Sequence, residues 1–226
     1  MSADGHADPA AQVNYLAHLF LAGNEPGDIA GALLGDFVKG RIDETLPSGL
    51  RGGISLHRKI DVFTDAHPLT LVSRNRFSGD LRRYAGIIVD LAYDHFLATK
   101  WPSFCQMPLQ DFTNRVYGVL LEQRSSFEGN ALRVVERMVE QDWLGSYVSL
   151  KSVSGALAAI SRRLTRPNPL GDCDDQLLDS YVGLEADFVD FFPDLMEHAS
   201  IIKRDRAHEA AHSGPWISRN EVTSYF

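Results

Sequence analysis

Cysteine is scarce in this chain. The two present, Cys105 and Cys173, lie far apart and in no metal-ligand spacing. That excludes a disulfide framework and suits a reducing compartment. Long apolar runs are missing as well: no stretch approaches the roughly 18 residues that cross a bilayer. Positive charge is in deficit. The formal net charge is -8, which excludes a wholesale basic surface for nucleic acid and leaves room only for local basic patches. Strand-type alternation, internal repeats and interdomain linkers are absent. So are a G-x-S-x-G elbow, a Walker loop and a G-x-G-x-x-G fingerprint. Residues 1–12 have neither a basic start nor an apolar core, so no secretory leader is expected and the expected location is cytoplasmic.

What is present is helical periodicity. With 44% hydrophobic and 23% charged residues, the composition is that of an ordinary globular protein. The expected fold is all-α, a single-domain helical bundle. Residues 1–12 read as a disordered lead-in, 13–203 as the helical domain and 204–226 as a loose tail. Asn14–Ala22 reads as a short helix. Asp28 reads as the N-cap of a second helix that runs to about Lys39, with Asp36 in the middle of its apolar face. Pro47 opens a central helix ending near His67, and Pro68 starts the next. A long helix is expected from Leu81 to about Lys100, followed by helices over Leu109–Gln123, Gly129–Tyr147, Val148–Leu164 and Gln176–Ala199.

The central helix carries His57, Asp61 and Asp65 at i, i+4 and i+8, one turn apart on one face. Ile54 and Ile60 flank that stripe and turn His57 and Asp61 inward. A carboxylate facing a core is costly unless it is paired or bound to a cation. An imidazole and a carboxylate one turn apart can grip a single metal ion; a buried His–Asp pair, or a pair with Arg58, also fits. The long helix is apolar almost all round yet holds Asp90, Asp94 and His95, which packing alone does not explain. His18, Asp36, His57, Asp61, Asp90, Asp94 and His95 therefore form the candidate constellation, all within the first hundred residues. Mixed imidazole and carboxylate ligands suit Mn²⁺, Fe²⁺, Zn²⁺ or Mg²⁺, and open coordination positions suit hydrolysis. Arg74, Arg76, Arg82 and Arg83 cluster just after the central helix. They would suit a phosphate or an acidic protein, or form a solvated charged face.

Six segments, in order, resemble the acyl carrier protein phosphodiesterases (ACP hydrolases). They are Asn14-Tyr-Leu-Ala-His-Leu-Phe-Leu-Ala22, Leu34-Gly-Asp-Phe-Val-Lys-Gly40, His57-Arg-Lys-Ile-Asp-Val-Phe-Thr-Asp65, Val89-Asp-Leu-Ala-Tyr-Asp-His-Phe-Leu97, Trp143-Leu-x-x-Tyr147 and Phe191-Phe-Pro193. The resemblance implies a helical fold related to the HD-domain metal phosphohydrolases. The adjacent pair here reads Asp94-His95, the reverse of the HD order. It further implies Mn²⁺-dependent removal of 4′-phosphopantetheine from the serine of holo acyl carrier protein, with Mg²⁺ or Fe²⁺ as other ions of the same kind. Carried over on matching motifs, Asp36, His57, Asp61, Asp94 and His95 are the implied metal set. His18, Arg58, Asp65 and Asp90 are the implied catalytic candidates, with Arg58 taking up phosphoryl charge and His18 or His95 assisting the leaving serine. The arginines at 74, 76, 82 and 83 become docking residues for the acidic carrier. Two other readings share these residues: a phosphohydrolase acting on a small nucleotide or phosphate ester, and a non-catalytic carrier-protein binding module. A di-iron oxidase would need Glu-x-x-His pairs on two helices, and the front half has none.

Overall fold

A computed structural model describes residues 14–212. Among them lie ten α-helices and no strand, so the all-α expectation holds. The helices are α1 (Tyr15–Ala22), α2 (Pro26–Leu34), α3 (Ser48–Ala66), α4 (Pro68–Asn75), α5 (Ala85–Thr99), α6 (Leu109–Glu122), α7 (Gly129–Glu140), α8 (Trp143–Ser146), α9 (Leu150–Arg163) and α10 (Asp174–His212). The expected lead-in at residues 1–12 lies outside the described residues.

The elements that carry the candidate residues are held by unusually close backbone approach. Gly27, Gly31 and Gly35 recur every four residues and form one edge of α2. Gly49 and Gly53 form the facing edge of α3. A Cβ on Gly31 would sit 2.9 Å from the Gly53 Cα, and one on Gly27 would sit 3.0 Å from the Gly49 Cα. With no side chains between them, the two helices touch backbone to backbone. His57 lies one turn beyond Gly53, so this contact brings it against the end of α2.

α5 is the buried axis. Ile88, Val89, Leu91, Phe96 and Leu97 are fully buried, and the helix packs against α1, α4, α9 and α10. The expected single helix from Leu81 is divided: Gly79–Tyr84 is a 3₁₀ turn and the α-helix begins at Ala85. The expected helix Gly129–Tyr147 breaks at Asp142, whose φ of 46° lies in the left-handed region. The Asp142 side chain accepts from the Gly145 amide and caps α8.

α10 is longer than its expected span and continues into the segment read as a tail, to His212; the rest of that segment lies outside the described residues. Its far end ties down the front of the chain. Lys203 Nζ donates to the Leu21 carbonyl at the end of α1, 2.8 Å away. Arg206 pairs with Asp28 in the first turn of α2. Asp28 is therefore a buried ion-pair partner, and the N-cap position belongs to Glu25, ahead of Pro26.

Candidate metal centre

Four side chains from three segments converge. α1 contributes His18 and α3 contributes His57 and Asp61. Asp36 comes from the turn that follows α2, where the Phe37 and Val38 amides both donate to the Leu34 carbonyl. Asp36 thus stands just past a helix end rather than mid-helix, and it is as deeply buried as the expectation required. Arg58 fixes this turn from outside. Its guanidinium donates to the carbonyls of Val38, at 2.6 Å, and Gly40, at 2.7 Å.

Asp61 links the two imidazoles. Its Oδ1 lies 3.1 Å from His18 Nε2 and its Oδ2 lies 3.2 Å from His57 Nε2. Asp36 Oδ1 is also 3.2 Å from His57 Nε2. The approaches are close, but their angles are not those of hydrogen bonds. His18 Nδ1 and Nε2, His57 Nε2 and Asp36 Oδ1 are all buried without a hydrogen-bond partner. Buried polar atoms are normally satisfied, so His18 Nε2, His57 Nε2 and Asp36 Oδ1, three such atoms gathered round the Asp61 carboxylate and one another, mark a place for something else. One donor atom from each of His18, His57 and Asp61 fits within a 4.8 Å span. The ligand tautomer of His57 is set from behind: its Nδ1 hydrogen-bonds the Ala32 carbonyl at 2.7 Å, leaving the Nε2 lone pair toward the carboxylates.

The charges of the group are strongly coupled. Burial pushes His57 down, but Asp36 and Asp61 outweigh it and raise it to about 10. Burial and the neighbouring His57 hold His18 low, against the pull of Asp61. Burial works to raise Asp61, and the two imidazoles overcome it and hold it below the usual carboxylate range.

The other expected site residues sit elsewhere. Asp94 is buried under α1, where its two oxygens accept from the Leu16 amide at 2.8 Å and the Ala17 amide at 2.9 Å. It caps the helix that carries His18 and does not join the four-residue group. His95 bonds the Tyr147 carbonyl at 2.7 Å and the Tyr181 hydroxyl at 2.9 Å, so both its nitrogens are occupied away from the group. Asp90, one turn before Asp94 on α5, is half-buried. Burial lifts its carboxyl to about 7, Arg74 opposes, and the charges of Asp61, Asp65 and Asp36 add to the rise. Asp65 is exposed and paired with Arg74.

The arginine cluster is divided too. Arg74 is held by Asp65. Arg76 makes a two-pronged bond to Asp187, with Nε 2.9 Å from Oδ2 and an Nη 3.0 Å from Oδ1, and so ties α4 to α10. Arg82 and Arg83 are exposed, Arg83 lying over the Tyr84 ring. The glycine edge at 27, 31 and 35 is legible in the sequence only through its spacing of four.

The fold and the group define an all-helical protein with a candidate His–His–Asp metal site. A family model described as acyl carrier protein phosphodiesterase matches residues 13–195, and the chain belongs to that family. A relative named acyl carrier protein phosphodiesterase from Escherichia coli O6:H1 is 34% identical over 193 residues, covering 83% of this chain and 98% of its own. One of the same name from Photorhabdus laumondii subsp. laumondii is 31% identical over 194 residues, with 83% and 95% covered. The Shigella boydii serotype 18 relative, again so named, is 33% identical, with 83% and 98% covered. No solved structure matches this chain.

Proposed function

We propose that this protein is a metal-dependent phosphodiesterase that hydrolyses the bond between 4′-phosphopantetheine and the serine of holo acyl carrier protein, leaving the apo form. Family membership supports the reaction, and the buried, unsatisfied His18 Nε2, His57 Nε2 and Asp36 Oδ1 gathered round Asp61 support the metal. His18 Nε2, His57 Nε2 and one oxygen each of Asp36 and Asp61 would hold the ion. Two imidazoles with two carboxylates suit a borderline-to-hard cation, with Mn²⁺ preferred and Mg²⁺ or Fe²⁺ as further choices. A divalent cation in that set supplies Lewis-acid activation of water and of the phosphoryl oxygens.

The chain's own groups do the rest. Hydrolysis breaks the bond from phosphorus to the serine oxygen, and that oxygen must gain a proton. In the metal-free chain burial lifts the Asp90 carboxyl to about 7, and to Asp90 we assign the proton that the serine oxygen takes up. Arg74, bonded to Asp65, opposes the rise in Asp90 through its charge. Arg58 contributes indirectly, by fixing the turn that presents Asp36. Arg82 and Arg83 are the members of the 74–83 cluster left to meet an acidic carrier. The test is elemental analysis of protein purified without chelator, with turnover of holo carrier protein measured before and after chelation. The reading predicts about one ion per chain or more, loss of activity on chelation, and recovery with Mn²⁺. Full activity in metal-free protein sinks it.

A further inference from the structure

Apart from the four-residue group, a cavity of about 390 Å³ opens among α7, α8 and α9. Its size falls within the range of small-molecule sites. Arg133, Arg137 and Arg163 line it and are exposed at its rim. Among the described residues none of the three makes an ion pair, and the lining contains no carboxylate. In a chain of net charge -8, three guanidiniums without an ion-pair partner round one cavity, Arg133 bonded only to the neutral Asn130, create a local positive potential suited to an anion.

The rest of the lining is suited to an elongated, partly apolar ligand. α9 presents Ser152, Gly155, Ala156 and Ala159 to the cavity, one face of small side chains at helical spacing. Gly155 stands mid-helix, where glycine is a poor choice, and a Cβ there would meet nothing within 4 Å. Packing does not demand this glycine; the space it leaves belongs to the cavity. Tyr15, Phe37 and Trp143 form an aromatic wall. Tyr15 is three residues before His18, and Phe37 follows Asp36 directly. The wall of the cavity is thus built from the chain neighbours of two members of the candidate metal group.

We propose that this cavity receives the prosthetic arm of the substrate, a flexible diamide chain ending in a phosphate. Its phosphate would stay with the candidate metal group beyond Tyr15 and Phe37, its apolar stem would lie against the aromatic wall and the small face of α9, and Arg133, Arg137 and Arg163 would attract the anionic arm through their potential rather than by contact. The released arm is a phosphomonoester, more negative than the diester it came from, so the same arginines favour the product end of the reaction. This inference rests on the phosphodiesterase reading above.

The test uses Gly155→Leu, which fills the cavity, and the double variant Arg137→Ala with Arg163→Ala, which strips its charge. Three probes are measured on metal-loaded protein: turnover of holo carrier protein, turnover of bis(4-nitrophenyl) phosphate, and calorimetric binding of free 4′-phosphopantetheine. For Gly155→Leu we expect a fall of about tenfold or more in the ratio of kcat/KM for holo carrier to that for bis(4-nitrophenyl) phosphate. Binding of 4′-phosphopantetheine weakens by a similar factor, while the melting temperature does not fall, because leucine is the better helix former. Exposed charges count for less, so the arginine variant loses several-fold, and more at low salt. Unchanged ratios and unchanged 4′-phosphopantetheine affinity in both variants, with wild type active on holo carrier, overturn the cavity assignment alone. A metal-loaded wild type inert toward holo carrier overturns the substrate reading and this assignment with it.

Discussion

The imidazoles of His18 and His57 stack face to face, with ring centroids 3.9 Å apart and planes 19° from parallel. Two imidazolium ions at that distance would repel strongly in a buried site. The pair resolves this by splitting: His57 is driven up by Asp36 and Asp61, and His18 is driven down by burial and by His57. A cation placed among the same atoms removes the need for any proton there. Metal and protons therefore compete for this group.

The first prediction follows. Mn²⁺ should raise the melting temperature of the wild type, because a ligand at about 100 times its dissociation constant adds roughly 2.7 kcal/mol. For a chain of this size that is on the order of 5–10 °C. Asp61→Ala should show no such rise and should lose more than about 100-fold in kcat, with circular dichroism still helical. A variant that keeps the Mn²⁺-induced rise shows that Asp61 is not a ligand.

Asp94 makes a different prediction from that of a ligand. Its oxygens take two amides at the start of α1, so Asp94→Ala removes a buried cap and should cost about 1–3 kcal/mol in stability. Asp94→Asn retains one acceptor and should recover part of that loss. Bound metal, measured on folded protein, should remain near wild-type stoichiometry in the Asn variant. Loss of metal with an unchanged melting temperature would instead place Asp94 in the ligand set.

These two residues show what could be read in the sequence. His57 and Asp61 were legible because both lie on one helix, where spacing fixes their common face. Asp94 and His95 look the same by that criterion, as polar groups in an apolar helix. Their partners, the amides of α1 and the Tyr147 and Tyr181 oxygens, are remote in sequence and leave no periodic trace. Asp36 was legible as buried but not as lying in a turn, because Leu33, Leu34 and Phe37 continue the apolar pattern past the point where α2 stops. Arg76 read as part of a free patch for a similar reason. Asp187, which holds Arg76, lies 111 residues away.

The close α2–α3 crossing yields a third prediction. The Gly35 backbone is ordinary right-handed helix, so alanine there meets no conformational penalty. Its Cβ, however, would overlap the His57 ring, lying 2.6 Å even from the His57 Cβ. Neither the ring, bonded to Ala32 behind it, nor the glycine-lined crossing has room to yield. Gly35→Ala should cost about 1–3 kcal/mol in stability, as overpacked core changes do, and should weaken Mn²⁺ binding through displacement of His57. Gly155→Ala is the matched control, since its Cβ meets nothing. Equal melting temperatures for the two variants would remove the steric argument.

The last prediction concerns pH, in metal-free protein. Burial first, and then the charges of Asp61, Asp65 and Asp36, lift Asp90 to about 7, with Arg74 opposing. An unfolded aspartate titrates near 3.9. Between these values the folded chain holds a proton that the unfolded chain has lost. Stability therefore falls as pH rises from about 4 to about 7, and this contribution is flat on either side. Asp90→Asn removes the titrating group while keeping the shape. Its melting temperature relative to wild type should then be higher at pH 8 than at pH 5, by the equivalent of about 1–3 kcal/mol once the partial exposure of the carboxyl is allowed for. The difference between variant and wild type isolates Asp90 from Asp94, which burial also raises. A bound divalent cation would favour the ionised carboxyl and shrink the effect, so repeating the melts with Mn²⁺ should narrow the gap. A variant whose offset from wild type is the same at pH 5 and pH 8 shows that Asp90 titrates as an ordinary carboxylate, and it then loses its place as the proton donor to the leaving serine.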